Sequence, residues 1–213
     1  MQKITFFFVF ILATLLVGCE DVVDVDLNTA PPKLVIEASI NWQKGTSGNQ
    51  QRIKLTTTTD YFSTNIPKVS GAIVTITNST NTVFNFVEVP NTGEYFCSNF
   101  VPVINETYTL TVVSKGQTYT ATETLQPVAP ITKLEQKNNG GITGDEIEVK
   151  TFYNDPAGIP NYYLYKYTYS NQVKSNLYVD RDEFFFFFEF FSISQNDELK
   201  KGDKIEITHY GIS

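Results

Sequence analysis

A lone histidine, two cysteines, one acidic cluster and two aromatic runs are the residue types here that could carry chemistry. His209 stands in DKIEITHYG, where Ile205 and Ile207 share its face by two-residue alternation. A catalytic triad, a metal centre or an acid–base pair needs partner groups at suitable spacing, and none accompanies it. His209 is therefore expected in a core, near the end of a strand. Cys97, in GEYFCSN, falls on the side of Tyr95 with no histidine near it to activate a thiolate, and it reads as a small buried hydrophobe. Asp180, Asp182 and Glu183 offer calcium-type oxygens, but they lack the regular spacing and turn glycine of a calcium loop, and Arg181 interrupts them. They read as a solvated loop. Neither catalytic residues nor metal ligands are assigned.

The aromatic runs offer surface rather than catalysis. In NYYLYKYTYS, Tyr163, Tyr165, Tyr167 and Tyr169 project from one face, with Leu164, Lys166 and Thr168 on the other. Such a row would stack sugar rings or meet a protein partner. The plainer alternative, which is preferred, is a half-buried sheet face that uses tyrosine for its β propensity. In EFFFFFEFF, Phe184–Phe188 place rings on both faces of a strand, as in a doubly covered core strand or a contact with something outside the chain. Left uncovered, the run is an aggregation hazard.

The N-terminus carries the most specific chemistry. Lys3, the apolar stretch over residues 4–17 and small residues before a cysteine read as a secretion signal. The stretch is short for a membrane span, which needs about 20 residues. Leu16-Val17-Gly18-Cys19 resembles the lipobox of bacterial lipoproteins, which implies cleavage before Cys19 and a diacylglycerol thioether on its sulfur. No other cofactor is expected. Removing Lys3 with the leader leaves 15 basic and 23 acidic residues, a formal charge of −8. Without a basic stripe such a chain is a poor nucleic-acid ligand. Once Cys19 is acylated only Cys97 remains, so an internal disulfide is excluded and a packed core must hold the fold.

These residues are positioned by strands. Residues 19–32 (CEDVVDVDLNTAPP) read as an acidic tether stopped by Pro31-Pro32. From Lys33, the segments KLVIEASINW, QRIKLTTTT, GAIVTITN, TVFNFVEV, GEYFCSN, ETYTLTVVSK and QTYTATETL alternate apolar and polar residues between turns. Seven short strands in one region predict an immunoglobulin-like β-sandwich over residues 33–126, with Ile53, Leu55, Tyr108, Leu110 and Val112 inward. Tyr108 is placed as the tyrosine of a tyrosine corner. Asn78 and Asn105, each in an Asn-X-Thr or Asn-X-Ser-type triplet, are expected in surface turns. QPVAP marks a boundary, and residues 127–213 form a second β-rich domain. There KNNGGITGDE is expected as a polar loop, and IEVKTFYNDP, NYYLYKYTYS and DKIEITHYG as strands. A sheet ending so close to Ser213 predicts a shortened C-terminus. The fold class is all-β.

The order of these motifs, from the lipobox through LVIEASI, GAIVTIT, GEY, YTLTV, QTYTATE, YNDP and NYY to KKGDKIEI, is similar to the Bacteroidota lipoprotein family known as domain of unknown function 4249. That resemblance implies an outer-membrane lipoprotein, periplasmic or surface-exposed, with Glu20-Asp21 favouring the surface. It further implies a non-enzymatic accessory to a TonB-dependent receptor, and it brings no site residues. The alternative is a fimbrillin-like structural or adhesive protein.

Overall fold

A computed structural model describes residues 30–141, 144–156, 160–181, 190–194 and 196–213. The leader, the lipobox with Cys19, most of the tether, Asp182, Glu183 and Phe184–Phe188 lie outside the described residues. The elements described are all strands. The first region holds β1 (Leu34–Ala38), β2 (Gln51–Thr57), β3 (Ile73–Asn78), β4 (Val83–Val89), β5 (Glu94–Cys97), β6 (Thr107–Ser114) and β7 (Gln117–Thr124). These are the seven strands that the alternation predicts. They form one antiparallel sheet in the order β1-β2-β5-β4-β3-β6-β7. The sheet is continuous because β4 changes partner along its length. Its first half pairs with β3 and its second half with β5.

This sheet curls around a single apolar cluster. Ile53, Leu55, Val74, Ile76, Phe84, Phe86, Tyr95, Tyr108 and Val112 meet in it, with Leu34, Ile36, Ile40 and Leu110 at its margin. Three buried polar side chains fasten loops to that core. The Tyr95 hydroxyl donates to the Val69 carbonyl (3.0 Å) and accepts from the Ala72 amide (3.0 Å). Tyr108 donates to the Val101 carbonyl (3.1 Å) and accepts from the Val103 amide (2.9 Å), the upstream backbone tie expected of it. Gln51, which alternation alone does not single out, donates to the carbonyls of Asn41 and Gly48 and accepts from the Asn41 amide. Trp42, the last residue of KLVIEASINW, lies past the end of β1 and is partly exposed. Asn78 and Asn105 do occupy turns, Asn78 accepting the Thr82 amide and Asn105 taking a left-handed conformation (φ 64°).

The second region contains β8 (Ile131–Gly140), β9 (Glu146–Tyr153), β10 (Tyr162–Tyr169), β11 (Asn176–Arg181), β12 (Phe190–Ile193) and β13 (Ile205–Ile212). Two antiparallel three-stranded sheets result, β11-β10-β13 and β12-β9-β8. The polar loop expected at KNNGG begins instead as the end of β8, with a register irregularity between Lys137 and Gly140. β8 evades the pattern because it is largely solvent-exposed and has no inward face to keep apolar.

The connection between the regions is held from both sides. Leu125 packs on the first core and Ala129 is buried in the second. Between them the Pro127 carbonyl lies so close to Gly211 of β13 that a Cβ there would stand 1.9 Å from its oxygen. Backbone is the obstacle, so no rotamer change relieves it. Gly211→Ala is expected to lower stability by about 1–3 kcal/mol, the usual cost of forced overpacking. Its denaturant midpoint should fall clearly below that of the unmutated chain. An unchanged midpoint would refute the close approach.

Candidate functional site

β10 divides the second region into an inside and an outside. Tyr163, Tyr165, Tyr167 and Tyr169 share a face as alternation requires, and they are only 2%, 0%, 0% and 2% exposed. They fill the space between the two three-stranded sheets with Tyr153 of β9, Leu199 and Ala129. This corrects the binding-face reading of the row. Phenol rings are largely apolar, and this sheet turns them toward the apolar side chains of the second core.

Three of the hydroxyls inside have polar partners of their own. Tyr163 donates to the buried Asp155 carboxylate, which also accepts from Asn161 Nδ2 (3.4 Å). Tyr153 donates to Asp180 Oδ2 (3.3 Å) and Tyr167 to Thr151 Oγ1 (3.3 Å). The Tyr165 hydroxyl faces that of Tyr153 without reaching good hydrogen-bond geometry. Burial pushes the Tyr153 and Tyr165 hydroxyls well above the usual phenol range, reinforced at Tyr153 by the Asp180 charge and at Tyr165 by the neighbouring Tyr153. Both therefore stay neutral, Tyr153 as the donor to Asp180. Asp180, expected in a solvated acidic loop, is thus a partner of the aromatic core on β11.

His209 lies where the sequence places it, among core side chains. It pairs across the strand with Tyr165 and stacks on that ring (centroids 4.2 Å apart, planes at 10°). Tyr153 and Tyr163 also contact it, at 5.0 and 4.8 Å. Among the described residues neither ring nitrogen makes a well-formed hydrogen bond, although the Ala129 backbone lies alongside. Burial lowers its pKa to about 4. Cys97 is buried, and its Sγ lies 3.2 Å from Asn99 Oδ1. Among the described residues no three His, Cys, Asp or Glu side chains converge as metal ligands would.

The reverse face of β10 faces an open space. Leu164 and Lys166, with Leu177 of β11 and Tyr210 and Ile212 of β13, form one wall of a cleft of about 580 Å³. The opposite wall comes from the first sheet: Ile40 beyond β1, Leu110 of β6, and Glu123 and Leu125 at the end of β7. Its surface is mostly apolar with a few polar groups, the usual character of a ligand site. Neither Lys166 nor Glu123 forms an ion pair among the described residues. Arg181 extends the same outer face, its guanidinium 5.3 Å from the Tyr162 ring. Sequence pattern misses this cleft because its walls come from segments well apart in the chain, from 39 residues (Leu125 to Leu164) to 172 (Ile40 to Ile212).

The family model described as domain of unknown function DUF4249 matches residues 20–213. The chain belongs to that family. No curated protein matches it. In this DUF4249 chain the cleft and the aromatic core lie on opposite faces of one sheet, β11-β10-β13.

The histidine gives the core a pH signature. In the unfolded chain His209 takes up its proton near pH 6.5, but in the fold only near 4. Its share of stability is therefore complete above pH 6.5 and is lost as pH falls through that window. His209→Phe keeps an aromatic ring without the titrating nitrogens. Thermal melts from pH 7 to 4 should show a steeper fall in Tm for the native chain than for the variant. Parallel profiles would contradict the buried neutral state.

Proposed function

We propose that the chain is a non-enzymatic binding component, anchored by lipid on Cys19 to the outer membrane and acting beside a TonB-dependent uptake receptor. The observation that carries the binding role is the cleft, with apolar walls from two sheets and, at its surface, Lys166 and Glu123, which form no ion pair among the described residues. The lipobox Leu16-Val17-Gly18-Cys19 supports the anchor, and the acidic Glu20-Asp21 that follows supports exposure at the cell surface. On the same reading the first sheet is an immunoglobulin-like unit, which the Tyr108 backbone tie supports. A tethered domain of this kind holds captured ligand near a transporter at high effective concentration.

Two measurements test this. Metabolic labelling with a fatty acid should mark the native chain and leave Cys19→Ala unlabelled; equal label would remove the anchor. Affinity purification from detergent-solubilised outer membranes should bring down a TonB-dependent receptor. Leu164→Asp, an outer-face change away from the aromatic core, should then reduce ligand retained by the complex without unfolding the chain. Recovery of homopolymers in place of a receptor would favour a fimbrillin-type structural role.

A further inference from the structure

We infer that the loop over residues 58–66 is a second membrane contact, placing Tyr61 and Phe62 in the bilayer interface next to the lipid anchor. This rests on the anchored reading above but on separate residues. The loop leaves β2 and returns through a narrow neck. The Thr57 amide donates to the Pro67 carbonyl (3.0 Å), and Thr56 bridges to Lys68. A turn at its tip, with the Ser63 amide on the Asp60 carbonyl (2.9 Å), sets it as a compact projection of the Ω-loop kind. At that tip Tyr61 and Phe62 are 83% and 76% exposed, and Ile66 is exposed behind them. The two rings touch edge to face with centroids 5.0 Å apart, so they present one apolar knob.

The position of the knob points to lipid. The tether joins the fold at Lys33, whose amide donates to Thr58 Oγ1 (2.9 Å) and whose carbonyl accepts from the Thr58 amide (2.9 Å). The loop therefore starts at the residue against which the tether is pinned. Cys19 lies fourteen residues before Lys33, a stretch that spans at most about 50 Å when extended. The acyl chains and the aromatic knob are thus attached to the same end of the sheet. Asp60 is the loop's only charged residue, and the exposed Lys33 and Lys68 flank its base. Aromatic rings above lysines are the chemistry of the membrane–water interface, where the rings sit at headgroup depth and ammonium groups meet phosphates. A protein partner is less well served. Two rings bury roughly 150–250 Å² each, against about 800 Å² per side in a stable complex.

The test uses the acylated full-length protein in phosphatidylcholine vesicles whose acyl chains carry bromine near the headgroup. Trp42, the only native tryptophan, lies beyond the far end of β1 from Lys33 and reports a site away from the membrane. The emission added by Phe62→Trp should shift to the blue and be strongly quenched, while that of Trp42 in the native chain is not. Flotation of the same samples reads the anchor separately. Floating protein with an unquenched tip overturns the loop contact alone, and protein that does not float overturns the anchor and the contact together. An unquenched tip whose emission shifts only when a receptor fraction is added assigns the knob to a protein and overturns the membrane assignment.

Discussion

The row of four tyrosine rings on β10, with Tyr163 and Tyr165 packed on Tyr153 and His209 and Tyr167 on Tyr178, is the interaction on which the second region depends. It determines which face of β10 is inside, since a one-residue slip would turn every ring outward. It also requires a polar partner for most of the hydroxyls brought in with the rings. Thr151 of β9, Asp155 just beyond it and Asp180 of β11 provide these, so the aromatic cluster and the chain path around it are mutually dependent. Among the described residues His209 is included without such a partner. It is tolerated as a neutral ring because its charged form is disfavoured by burial.

The outer face follows from the inner one. With the tyrosines inward, Leu164 and Lys166 must face away from that core, and the connection at residues 125–130 brings the first sheet opposite them. Gly211 permits this close approach by lacking a side chain at the Pro127 carbonyl. The cleft is thus a product of how two regions are joined, with neither sheet able to form it alone.

The extent to which this was legible in the amino-acid order varies with the physical signal. β1 to β7 were legible because half-buried strands must alternate, and Ile53 and Leu55 show it plainly at 1% and 0% exposure. His209 was legible as a core residue by the same rule. β8, β11 and β12 were not: β8 is solvent-exposed along most of its length, and the other two lie beside residues with no clean period. Alternation grouped the four tyrosines but could not orient them, because tyrosine suits a core and a binding surface equally. The cleft and the Gln51 loop clasp depend on contacts distant in sequence or on side-chain hydrogen bonds, which local periodicity does not encode.

The central claim is that β10 turns its tyrosines inward and presents its other face to the cleft. Hydroxyl-radical footprinting of the folded protein, read residue by residue by mass spectrometry, tests it most directly. Tyr163, Tyr165, Tyr167 and Tyr169 should be protected until the chain unfolds, while Tyr162 and Leu177 on the outer face are modified readily. Modification of Tyr165 and Tyr167 at the rate of Tyr162 in the folded state would contradict the account.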